Sequence, residues 1–215
     1  MKPLIILVAF LGLVGFESTA QADYYDGLKA YKAKEYQTAY DIWLPLAREG
    51  NAGAQYGVGE IFMESALRAP LVERLIIRSH KGLSEKDLDR AAETWLKRSA
   101  EQAHVDAQYA LARMYQRGSL GYSEYRKAVL WYRRAADQGL TGAMIYLAGM
   151  IGDRRYVDYD IVEAAKWGLL FVRRRYGHDF KRVYPNITLP YFDQLTEEQK
   201  GEVERWVEAW EPDFP

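Results

Sequence analysis

Apolar residues recur at three- and four-residue intervals through most of the chain beyond residue 22, a spacing that predicts amphipathic helices rather than strands. The pattern places helices near 24–33, 36–48, 52–65, 86–102, 105–117, 124–138, 142–151, 160–175 and 197–210. Gly50, Gly118 and Gly139 stand where such helices must end in a left-handed residue. Ser84 with Asp87 offers an imperfect capping box, because the third position prefers Glu or Gln, and Thr196 with Gln199 offers a better one. In the last predicted helix Val203, Trp206 and Trp210 share one face.

The pattern also repeats. Trp43, Trp95, Trp131 and Trp167 are separated by 52, 36 and 36 residues, and each sits in a similar frame, most clearly KAVLWYRRAADQGLTGAM from Lys127 to Met144. A second half-motif recurs as AQYGVGEIF from Ala54, AQYALARMY from Ala107 and AMIYLAGMI from Ala143. Small residues recur at Ala54, Ala107 and Ala143, and again at Gly59, Ala112 and Ala148, letting helices approach while Val58, Leu111 and Leu147 fill the grooves. A unit of this kind is a helical hairpin that cannot bury its apolar face alone, so neighbours must stack.

One nearly complete copy consists of Ala107, Gln108, Leu111, Ala112, Tyr115, Gly118, Lys127, Ala128, Trp131, Ala135, Ala136, Gln138 and Gly139. It resembles the Sel1-like repeat, a relative of the tetratricopeptide repeat, strongly over residues 90–152 and more weakly at 27–62 and beyond Trp167. The resemblance implies an all-α fold, an α/α superhelical solenoid of such hairpins, used for contact with another protein. It carries no catalytic residues, since the shared positions are core positions. A solenoid needs an end cap with one polar side, which the helix near 197–210 supplies. The expected organisation is a leader at 1–22, repeats over 23–195, and a capping helix and tail at 196–215.

Two basic segments containing apolar residues interrupt the rhythm, at about 64–85 and 173–195. Insertions in repeat proteins map to loops, often on the binding face. The candidate partner-binding residues are therefore Arg74 and Arg78 in the first insertion, Arg174 and Tyr184 in the second, and Gln55, Gln108 and Arg113 on a groove lined by the first helix of each hairpin. Plainer readings stand beside these. Gln55 and Gln108 can brace the inter-helix turn, the first insertion can be a packed extra helix, and Arg173, Arg174 and Arg175 can simply complement a helix dipole.

Composition narrows the function. A formal net charge of -1 gives no field that would gather nucleic acid. The absence of cysteine excludes disulfides, thiolate zinc sites, Cys nucleophiles and lipid attachment through an N-terminal Cys. His80, His104 and His178 lack metal-ligand spacing, and no serine lies in a nucleophile context, so no metal, cofactor or catalytic residue is expected. The 17 Tyr and 6 Trp suit both a thin repeat core and a contact surface. Lys2, the 13-residue apolar run Leu4–Phe16 and the Ala20-Gln21-Ala22 ending read as a bacterial export signal cleaved after Ala22, too short to span a bilayer. The expectation is a monomeric periplasmic or secreted scaffold that binds another protein, an envelope protein among the candidates, and does not span the membrane after cleavage. The alternatives are a cell-envelope hydrolase of the peptidoglycan or β-lactam type, and a binder of anionic envelope surfaces acting through the basic insertions.

Overall fold

The computed structural model describes residues 23–68, 82–119, 121, 123–178 and 189–210. The expected leader at 1–22, Arg74, Arg78 and Tyr184 lie outside the described residues. Among the described residues there are helices and turns and no strand. They fall into two compact units, one up to His104 and one from Val105.

The first unit holds α1 (residues 23–32), α2 (Tyr36–Arg48), α3 (Ala52–Arg68) and α4 (Glu85–Glu101). Its packing is organised around Trp43 of α2, which is buried. The indole lies 6.1 Å from the Tyr24 ring and 5.6 Å from that of Tyr31. Its Nε1–H donates to the Tyr24 carbonyl at 3.1 Å, so the one polar atom of the ring is satisfied. Glycines make the room. A Cβ at Gly27 would lie 2.3 Å from Trp43 Nε1, and one at Gly57 would lie 2.4 Å from its Cε3. Between α3 and α4, a Cβ at Gly59 would come within 2.8 Å of Leu96.

Turns and caps fix the helix ends. Gly50 ends α2 at φ 103, and the Asn51 side chain accepts from the Ala54 N–H at 2.8 Å to start α3. The box expected to be imperfect at Ser84 is complete: the Ser84 hydroxyl accepts from the Asp87 N–H, and the Asp87 carboxylate reaches back to the Ser84 N–H. A shorter Asp suffices because the Ser84 hydroxyl also donates to it at 2.6 Å, and that bond holds the Asp87 carboxyl below its ordinary range. Trp95 departs from its three counterparts by staying half-buried, with the Arg98 guanidinium 4.9 Å over its ring. It sits on α4, the last described helix of its unit.

The second unit holds α5 (Val105–Arg117), α6 (Tyr125–Asp137), α7 (Thr141–Ile151), α8 (Ile161–Tyr176), a 3-10 turn (Phe192–Gln194) and α9 (Glu197–Ala209). Each helix packs on the next. Ala128, Ala135 and Ala136 of α6 and Ala143 and Ala148 of α7 are fully buried beside Leu111, Tyr132, Met144 and Leu147. The small residues let backbones approach and the large ones fill the space between them. Asp160 caps α8, and Arg133 of α6 forms a two-pronged ion pair with Glu163 of α8. Trp167 receives α9, with Trp206 edge-on at 5.2 Å and Trp210 at 6.4 Å, and Thr196 with Gln199 makes the full capping box of that helix.

Substituting Gly57→Ala should therefore destabilise the first unit by about 1–3 kcal/mol through overpacking against the indole. The melting temperature should fall by roughly 2–4 °C per kcal/mol. Gly168→Ala, whose added Cβ meets nothing within 4 Å inside α8, should instead raise stability by up to about 1 kcal/mol through helix propensity. Calorimetry on the two variants checks both signs.

Candidate functional site

Two residues expected on an open groove are buried instead. Gln55 is 5% exposed and Gln108 is 3% exposed. Gln55 Nε2 donates to the Ala47 carbonyl at 3.0 Å, and its Oε1 accepts from Gln102 Nε2 at 2.8 Å. In the second unit Gln138 Nε2 donates to Gln108 Oε1, again at 2.8 Å. Gln55 points inward because the end of α2 leaves a carbonyl that its amide satisfies. Gln55 braces its turn, Gln108 is tied to the end of α6, and both are withdrawn from any surface a partner could touch.

Of the other candidates, Arg113 is half-buried on α5, its guanidinium carbon 5.8 Å from the Tyr109 ring. Arg174 is exposed near the end of α8, its guanidinium carbon 5.2 Å over the Trp210 ring. The two are not part of one cluster. Arg113 belongs to a different group, built mainly from residues that sequence reasoning did not single out.

That group starts from α7. Met144, Leu147 and Ala148 face inward, leaving Gly142, Ile145, Tyr146 and Gly149 on the opposite face at helical spacing. Ile145 is 42% exposed and Tyr146 is 41% exposed. Tyr146 stacks on Tyr132 of α6 at 5.4 Å with the rings nearly parallel. Tyr109 of α5 completes the set, 5.8 Å from Tyr132 and 6.0 Å from Tyr146. Three helices thus each contribute one ring. The Tyr132 hydroxyl donates to Gln116 Oε1 at 2.6 Å, which anchors the middle ring. Burial pushes the Tyr132 hydroxyl well above the ordinary tyrosine range, and burial raises Tyr109 as well, with Tyr146 adding to it.

On its other side Ile145 reaches an apolar cavity of about 210 Å³ between α7, α8 and the turn that follows residue 188. Ala148, Gly168, Leu169, Val172 and Tyr191 are among its walls. Gly149 and Gly168 leave open space that a side chain would occupy. Tyr191 leans on Gly152, where a Cβ would lie 2.4 Å from its ring. Chemically the face offers aromatic area, hydroxyls, the Arg113 guanidinium and an apolar recess, which suits gripping a ligand. No group of three or more His, Asp or Glu side chains able to hold a metal converges among the described residues. No described helix is long and apolar enough to cross a membrane. The tyrosines carry a sequence signal only in hindsight: Tyr109 and Tyr146 are large residues placed between the buried small positions of their helices.

The Sel1 repeat family matches residues 79–104, 105–140 and 141–170. A solved structure of a protective antigen present in uropathogenic Escherichia coli strains, displaying an SLR fold, aligns with TM-score 0.66 at 21% identity. That alignment covers 92% of this chain and 40% of the antigen, so the chain spans well under half of that protein. A Sel1 repeat protein from Oxalobacter formigenes aligns with TM-score 0.53 at 18% identity, covering 85% of this chain and 82% of the other. At these identities the likeness is one of fold. No relative among curated proteins matches the chain.

Replacing Tyr132 by Phe should cost about 1 kcal/mol, the net worth of its hydrogen bond to Gln116. The pH dependence follows from the raised Tyr132 hydroxyl: above about pH 10 an unfolded tyrosine loses its proton while the buried one keeps it, so the stability it contributes is intact below that pH and drains away as pH rises further. Urea midpoints measured between neutral and strongly alkaline pH should fall more steeply for the native chain than for Tyr132→Phe.

Proposed function

With three Sel1 repeats between residues 79 and 170, this chain is a Sel1-repeat protein, and we propose that it serves as a protein-binding scaffold rather than a catalyst. The observation that carries the reading is the exposed pair Ile145 and Tyr146, continuous with Tyr109 and Arg113 on one side and with the apolar cavity on the other. Tyrosine, arginine and a recess for an apolar anchor are what dominate the centres of protein interfaces. Stacking fixes Tyr146 on Tyr132 before any partner arrives, which lowers the entropy lost on binding. The partner contributes an apolar side chain to the cavity and a flat group to the rings.

The proposal includes export. The Lys2, Leu4–Phe16 and Ala20-Gln21-Ala22 pattern supports cleavage after Ala22 and delivery to the periplasm or beyond. In that setting the scaffold works as a monomer on an envelope or extracellular protein.

A photo-crosslinking residue at position 145 tests the binding face. It should give a discrete adduct with another protein, and the same residue at Lys97, exposed on α4, should not. Equal adducts at the two positions would refute the assignment. Export is tested by the intact mass of the protein recovered from the bacterial periplasm, which should correspond to a chain beginning at Asp23.

A further inference from the structure

We propose that the cleft between the last turns of α8 and α9 is a carboxylate-binding site for an acidic peptide segment. Arg173 is the residue that carries the site. Its side chain is only 15% exposed, and its Nε and Nη1 are buried without a hydrogen-bond partner among the described residues. The Glu208 carboxylate lies 3.8 Å from Nη1, beyond hydrogen-bond reach, on a side chain that is 64% exposed. A buried guanidinium normally finds an acceptor for each N–H, because leaving one unmade forfeits solvation without return. The end of α8 explains why a cation sits here, since the helix dipole favours it. It does not supply the acceptor: the Arg173 carbonyl is already taken by the Gly177 N–H at 2.8 Å.

The surroundings define what would fit. Arg174 lies beside Arg173 along the cleft, its guanidinium carbon 5.2 Å over the Trp210 ring, and His178 is part of the same lining. Among the described residues two guanidinium groups therefore face one carboxylate, an excess of positive charge. The cleft holds about 480 Å³, room for a side chain and its neighbours rather than for a bare ion. Leu170, Val207 and the Trp210 indole supply apolar wall. A planar oxyanion carried on an apolar body matches this lining: an Asp or Glu side chain next to an apolar residue. The cleft opens on another side of α8 from the cavity beside Ile145, so this site and the tyrosine face stand or fall separately.

Calorimetric titration of the whole chain with acetyl-Glu-Leu-Glu-amide tests it, with acetyl-Gln-Leu-Gln-amide and inorganic phosphate as comparison probes. The Glu peptide should bind about tenfold or more tightly than the Gln peptide, and Arg173→Met should weaken it by a similar factor. Glu208→Gln, an exposed change that removes the competing carboxylate, should tighten the Glu peptide severalfold, and it decides the matter if Arg173→Met fails to fold. Equal binding of the Glu and Gln peptides, or no change in either variant, overturns the proposal. Phosphate binding as tight as the peptide overturns the assignment to a peptide.

Discussion

Helices in this chain pack as closely as they do because small residues line the contacts, and everything else in the structure follows from that approach. Gly27 and Gly57 leave just enough space for the Trp43 indole, and a single methyl at either would overlap it. In the second unit Ala128, Ala135, Ala136, Ala143 and Ala148 do the same for α6 and α7. A core so thin cannot be built from one hairpin, since each helix has apolar surface on more than one side. Repetition is the physical answer: each hairpin is the next one's missing half.

This arrangement is why so much of the fold could be read from the chain. The ends of α2 at Tyr36 and Arg48, and of α5 at Val105 and Arg117, fall where the periodicity and the turn residues place them. Gly50, Gly118 and Gly139 do adopt positive φ. Trp43, Trp131 and Trp167 are buried, and the half-buried Trp95 is the departure. Its frame in the sequence matches the other three, so nothing local distinguishes it. What differs is its tertiary surroundings, which its own frame does not encode.

The candidate surface was much less legible. Gln55 and Gln108 occupy motif positions, and motif positions in a repeat are conscripted by packing, so they turned inward. Tyr109, Tyr132 and Tyr146 are scattered along three helices and become a set only when α5, α6 and α7 are laid side by side. Composition registered the surplus of tyrosine without saying which rings meet. The cavity is harder still, because one of its walls is Gly168, and an absence of side chain leaves no pattern to follow. Arg173 was legible as a helix-end cation; that two of its nitrogens lack an acceptor among the described residues was not.

The paired amides have a wider consequence. Gln102 with Gln55, and Gln138 with Gln108, join a helix end to the preceding helix through groups that never ionise. A joint made from charged partners would loosen in brine or acid; a carboxamide joint is indifferent to both. These two joints are thereby uncoupled from the ionic weather outside, while the Arg133–Glu163 pair between α6 and α8 stays open to it.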